Sequence, residues 1–102
     1  MAAWHKVAKV EEVAAGSARE LTAGGRVVAL FNIEGVFYAL DGICPHAGGP
    51  LGEGSLSDCV VTCPWHGWQY DVTTGKLVTN PAVACETYAV EVRGDDIFVD
   101  VG

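Results

Sequence analysis

Apolar and polar positions along this chain fall into short runs of strand length, separated by Gly, Asp, Asn and Thr. The segments "RVVALFNI" (26–33) and "VFYAL" (36–40) are rich in branched and aromatic side chains and meet at Glu34-Gly35, where Gly supplies a positive φ. A hairpin is predicted there. In "TYAVEV" (87–92), period-two spacing puts Tyr88, Val90 and Val92 on one face and Ala89 and Glu91 on the other. The chain then turns through Gly94-Asp95-Asp96 into "IFVDV", a second hairpin. Shorter strands are predicted at 4–8, 18–22, 59–62 and 68–72. Only "VEEVAAGSA" (10–18) offers helix formers, and Gly16 stops that helix after little more than a turn.

The predicted fold is all-β, with short strands at the spacing of a sandwich or small barrel. Neither an internal repeat nor a linker divides the 102 residues, so residues 1–102 are expected to form a single domain. Between the two hairpins the texture changes. From Asp41 to Asn80 the chain holds seven of its 13 glycines and three of its four prolines, which reads as loops carried on a β frame.

Half of the residues are apolar, but the longest strictly apolar run, Val27 to Phe31, is far short of the roughly 18 residues that span a bilayer. A net charge of −7 disfavours nucleic acid and anionic lipid, and it could steer the domain toward a basic patch on a protein partner. The first residues, "MAAWHKVAKVEEVAAG", contain no apolar signal core, so a cytoplasmic location is expected. Thiols stay reduced there. Four cysteines in such a chain point to metal ligands plus spare thiols more than to two disulfides.

Two stretches concentrate the chemistry. "CPHAGGPL" starts at Cys44 and "CPWHGWQYD" at Cys63, so that Cys44, His46, Cys63 and His66 form a C-x-H and a C-x-x-H pair. Each loop offers one thiolate and one imidazole, a set suited to a metal. A structural zinc site usually groups like ligands, as C-x₂₋₄-C and H-x₃₋₅-H. Here unlike ligands alternate, which suits a [2Fe–2S] cluster with two distinct irons.

These two boxes resemble those of the Rieske-type ferredoxins, the electron-transfer components of bacterial aromatic-ring-hydroxylating dioxygenase systems. The similarity extends over most of the chain, including "NPAV" at 80–83. It implies a Rieske-type antiparallel β-sandwich with a loop-rich cluster-binding subdomain at about 42–80. By the resemblance, Cys44 and Cys63 bind the inner iron, His46 and His66 bind the outer iron, and the one cofactor is a Rieske [2Fe–2S] cluster. High-potential Rieske proteins carry an extra Cys in each box, where this chain has Gly49 and Trp65, and a Ser where it has Trp68. Without that disulfide and that hydroxyl, the expected potential lies toward the low end of the roughly −150 to +300 mV Rieske range. Tyr70 matches the family's tyrosine, whose hydroxyl is expected to reach a cysteine sulfur. Gly48, Gly49 and Gly52 are expected to let backbone approach the cluster, with Leu51, Trp65 and Trp68 as its wall and Pro81 in a covering third loop. Cys59 and Cys85 read as small buried hydrophobes, and His5 as a surface residue.

An oxygenase needs a second, mononuclear iron site, usually two His and a carboxylate. After His46 and His66 only His5 remains, and no G-x-G-x-x-G follows a strand to bind a nicotinamide or flavin. The chain is therefore expected to be no enzyme. The resemblance implies a monomeric one-electron carrier that docks transiently with a flavoprotein ferredoxin reductase and a terminal oxygenase. A small Rieske-like subunit of a nitrite reductase or other enzyme complex is the alternative, and a zinc-stabilised binding module a third reading.

Overall fold

The computed structural model describes residues 3–45, 48–65 and 67–102. Among the described residues eleven strands follow one another: β1 (Trp4–Lys9), β2 (Ala18–Ala23), β3 (Arg26–Ile33), β4 (Val36–Asp41), β5 (Ser55–Ser57), β6 (Val60–Thr62), β7 (Gln69–Asp71), β8 (Lys76–Leu77), β9 (Asn80–Ala84), β10 (Thr87–Arg93) and β11 (Asp96–Asp100). All named pairings are antiparallel. One sheet has the order β1-β11-β10-β4-β3-β2; its two edge strands approach each other, so it curls into a nearly closed barrel. The other, β5-β6-β7-β8-β9, occupies the stretch between β4 and β10. Among the described residues no helix is long and apolar enough to cross a membrane.

Both expected hairpins form. Glu34 and Gly35 have φ of 52° and 89°, and the two positive values give the turn that matches strand twist. The "VEEVAAGSA" segment yields only a single 3₁₀ turn, Val10–Glu12, in which the Glu12 carboxylate accepts the Lys9 N–H at 2.7 Å. The face assigned to β10 holds for Tyr88 and Val90, whereas Val92 is exposed. The physical reason is the register: β10 meets β4 only at Thr87 and Tyr88, so its far end runs beyond the strand that would cover it.

The unbroken apolar run in β3 has a structural cause. Side chains alternate across a strand, and here each face has its own core. Ala29 and Phe31, with Leu40 of β4, pack with Leu51, Val61, Tyr70 and the cysteines 44, 63 and 85. Val28 and Leu30, with Ala39, pack with Tyr88, Ile97 and Val99 inside the curled sheet. A strand covered on both faces reads as continuous hydrophobicity.

The glycine- and proline-rich stretch is more ordered than its composition suggests. It contains four of the five strands of the second sheet and the first residue of the fifth, and β5, β8 and β9 carry no period-two signal because they are only two to five residues long. The first part of the stretch is pinned at its root by hydrogen bonds from Gly42 N–H to Val27 O and from Leu51 N–H to Gly42 O, both 2.9 Å. Its 3₁₀ turn, Leu51–Glu53, lies directly on β2. A Cβ at Gly52 would stand 2.7 Å from the Cα and backbone N of Glu20. Gly52 thus serves the contact between loop and barrel, a role different from the expected approach to a cluster.

Candidate metal centre

Two loops with the same backbone design bring Cys44 and Cys63 together. In each, the cysteine N–H bonds to the carbonyl five residues on: Cys44 to Gly49 at 2.9 Å and Cys63 to Trp68 at 2.8 Å. Each has Pro at the position after Cys, which fixes one φ of the turn. Each has a glycine with positive φ four residues after Cys, Gly48 at 73° and Gly67 at 71°. The equivalence explains why the two sequence boxes look alike.

Both sulfurs are buried. The Tyr70 hydroxyl lies 3.1 Å from Cys44 Sγ, as the sequence suggested, and Tyr70 is itself fully buried on β7. The Cys63 thiol is pushed upward in pKa, first by burial and then by its hydrogen bond and charge interaction with Cys44. Tyr70 is pushed upward by burial first and then by the bond to Cys44. Two thiols and a phenol are thus buried together between loops that contribute no Lys or Arg. Such thiols ionise readily only beside a cation of the metal type.

The packing around the sulfurs leaves a cradle with no room for an extra atom of protein. A Cβ on Gly49 would fall 2.9 Å from Cys63 Sγ and 2.9 Å from Trp65 Cγ. Leu51 is fully buried, Trp68 is half-buried against the same core, and Trp65 is 51% exposed. Leu51 and Trp68 fit the expected wall, while Trp65 presents itself to solvent. "NPAV" forms most of β9, so Pro81 stands in an exposed strand where a covering loop was expected.

His46 and His66, the other two expected ligands, lie outside the described residues. Among the described residues no group of three or more His, Cys, Asp or Glu is placed to hold a metal ion. Cys85 was expected only as a buried hydrophobe, and it is one. Its proximity to the site was not anticipated: its thiol is pushed up to about 12, by burial first and then by Cys44, Asp41 and Cys63. Cys59 is half-buried, and neither it nor Cys85 is in a disulfide. His5 is half-buried beside Gly24, whose added Cβ would meet His5 Nε2 at 2.8 Å, so it is less open than expected.

Comparison with known families gives a match to the Rieske [2Fe-2S] domain over residues 3–94. The chain belongs to that family. Among relatives of the Rieske domain, the 3-phenylpropionate/cinnamic acid dioxygenase ferredoxin subunit of Escherichia coli (strain K12) is 43% identical over 77 residues, covering 74% of this chain and 73% of its own. A chain in the complex of reduced oxygenase and oxidized ferredoxin in carbazole 1,9a-dioxygenase matches with a TM-score of 0.87 at 30% identity, over 95% of this chain and 92% of that one. A putative NADH-dependent nitrite reductase small subunit from Mycobacterium tuberculosis superposes with a TM-score of 0.92 over 100% and 97% of the two chains. At 20% identity that is a likeness of fold alone.

The described atoms of this Rieske domain fit its family's cofactor. Two buried sulfurs on equivalent loops, a phenol 3.1 Å from one of them and a glycine facing the other make a thiol pair that could bind metal as thiolates, beside a hydroxyl able to donate to one of them.

Proposed function

We propose that this chain is a soluble one-electron carrier of a multicomponent aromatic-ring dioxygenase, taking electrons from a flavoprotein reductase and passing them to a terminal oxygenase. The ligands would be Cys44 and Cys63 through sulfur and His46 and His66 through nitrogen. Residues 1–102 would act as one unit, with about 42–80 as its cluster-binding part, in a cytoplasmic monomer. The observation that carries this reading is the pair of like-built loops that bury Cys44 and Cys63 around the Tyr70 hydroxyl. The ferredoxin names of the relatives at 43% and 30% identity support the carrier role over the nitrite reductase alternative, for which only the fold speaks.

When bound, a [2Fe–2S] group accepts and releases a single electron. Tyr70 would donate a hydrogen bond to the Cys44 sulfur and so stabilise added negative charge there. Leu51 and Trp68 would keep water from the sulfurs on the core side.

The test is reconstitution of NADH-driven turnover from reductase, this chain and an aromatic-ring oxygenase. Product formation that requires the chain, with one electron taken up per chain, is expected. Failure of the iron-loaded protein to accept an electron, or tight co-purification with a nitrite reductase, would overturn the reading.

A further inference from the structure

The two cysteines are delivered to the site by different means. Cys63 follows directly on β6, whose last residue, Thr62, is paired with Ser55 on one side and Gln69 on the other. Cys44 stands beyond the end of β4, with Gly42 and Ile43 between it and Asp41, the last residue of that strand. Its place therefore depends on how those two residues are held.

The amides of residues 41 to 44 trace that path. Asp41 N–H bonds to Glu86 O and Gly42 N–H to Val27 O, both at 2.9 Å, which ties the root of the loop to β3 and to the residue before β10. Cys44 N–H bonds to Gly49 O within the loop. Those three acceptors are backbone carbonyls, which any sequence supplies. The Ile43 N–H goes instead to the Asp41 carboxylate, 3.1 Å from Oδ1. It is the link in this path that a side chain makes, and an Asp that accepts from the residue two ahead closes a tight turn. Gly42 inside that turn is pressed onto β3, where an added Cβ would stand 2.9 Å from the Val27 carbonyl carbon.

Asp41 also brings charge to an uncharged neighbourhood. Residues 42–52 and 59–70, which hold both cysteines, contain no Asp, Glu, Lys or Arg. The Asp41 charge is felt in the core that the sulfurs share: Cys85, packed there with Cys44 and Cys63, is pushed up by burial first and then by Cys44, Asp41 and Cys63. Arg26 lines the same cavity of about 230 Å³ as Asp41, but its guanidinium is engaged by the Tyr88 hydroxyl at 3.4 Å and by Glu86 at 3.5 Å. The second loop has no equivalent, because the residue three before Cys63 is Val60.

We propose that Asp41 is the positioning residue of the first ligand loop: its carboxylate sets the approach of Cys44 to the metal through the Ile43 N–H, and its negative charge holds the reduction potential down. The proposal deepens the electron-carrier reading and rests on it. Reduction adds one negative charge at the sulfur site, so a fixed anion at the loop root disfavours the reduced form.

Two substitutions separate the two roles. Asp41→Asn keeps the acceptor and removes the charge, whereas Asp41→Ala removes both. In iron-loaded protein exposed to a chelator, visible absorption should fade about fivefold faster in Asp41→Ala than in the parent, the weight of one hydrogen bond. Asp41→Asn should stay within about twofold of the parent, because an amide oxygen closes the same turn. Poised at the midpoint potential of the parent, Asp41→Asn should show a reduced-to-oxidised ratio about threefold or more higher, a readout that a merely structural side chain would not move. The proposal is overturned if Asp41→Ala keeps its cluster as long as the parent, if Asp41→Asn loses it as fast as Asp41→Ala, or if the ratio in Asp41→Asn is unchanged or lower. A parent protein that takes up no iron and sulfide, or that cannot be reduced, fails the carrier reading instead, and so is told apart.

Discussion

The Tyr70 hydroxyl stands 3.1 Å from Cys44 Sγ, at the centre of a fully buried contact between β7 and the first ligand loop. A metal-bound thiolate cannot donate, so with metal in place the phenol must. Tyr70→Phe removes that donor and leaves the ring. Its loss should lower the reduction potential by on the order of 20–60 mV, the equivalent of one modest hydrogen bond in a one-electron couple. Film voltammetry of parent and variant reads this directly; an unchanged or higher potential would show that the bond does not favour the reduced form.

Gly49 faces the other sulfur. Its φ is not in the left-handed region, so Gly49→Ala acts by space alone, driving a methyl to 2.9 Å from Cys63 Sγ and Trp65 Cγ. Iron and acid-labile sulfide per chain should fall well below those of the parent, while the circular dichroism of the barrel is retained. Full loading of the variant would mean that Trp65 moves aside freely.

Gly52 should fail differently. There the clash is with backbone, the Cα and N of Glu20 at 2.7 Å, and backbone in a paired strand cannot rotate away. Gly52→Ala should cost about 1–3 kcal/mol, typical of overpacking, which for a domain of this size lowers Tm by about 5–20 °C. Calorimetry on the loaded protein checks it, and an unchanged Tm would contradict the tight seat of the 3₁₀ turn on β2.

Cys85 carries a pH signature. Its thiol is raised to about 12 from an ordinary value of 9.0, by burial first and then by Cys44, Asp41 and Cys63. The folded value lies above the unfolded one, so the neutral thiol supports the fold fully below pH 9. That support is lost as pH climbs from 9 toward 12. The urea midpoint of the parent should therefore drop more steeply across that window than that of Cys85→Ala. At pH 8, iodoacetamide should modify half-buried Cys59 at least about tenfold faster than Cys85; equal rates would contradict the burial.

Much of this was legible in the chain because it depends on local chemistry. Glu34-Gly35 and Gly94-Asp95 carry their turn geometry in residue type, whereas the contact of Tyr70 with a cysteine is implied only by the resemblance to the Rieske family. What escaped was non-local. Nothing in "KLVTNPAVA" announces β8 and β9, because strands of two and five residues are made by their neighbours and not by their own pattern. The same holds for Gly52, whose reason lies in Glu20, 32 positions away in sequence. Alternation points Val92 inward and is correct locally, yet β4 leaves β10 after Tyr88, so Val92 has a strand on one side only, at Ile97 of β11. Cys85 gave no sign of its place near Cys44 and Cys63, since that depends on how the second sheet folds back.

The central claim is that two thiolates and two imidazoles hold one iron–sulfur cluster between these loops. Pulsed electron paramagnetic resonance on dithionite-reduced protein, with and without ¹⁵N-labelled histidine, tests it most directly. The account predicts hyperfine coupling to two histidine nitrogens, both changed by the label. A cluster signal without nitrogen coupling, or no such signal after anaerobic reconstitution with iron and sulfide, would contradict it.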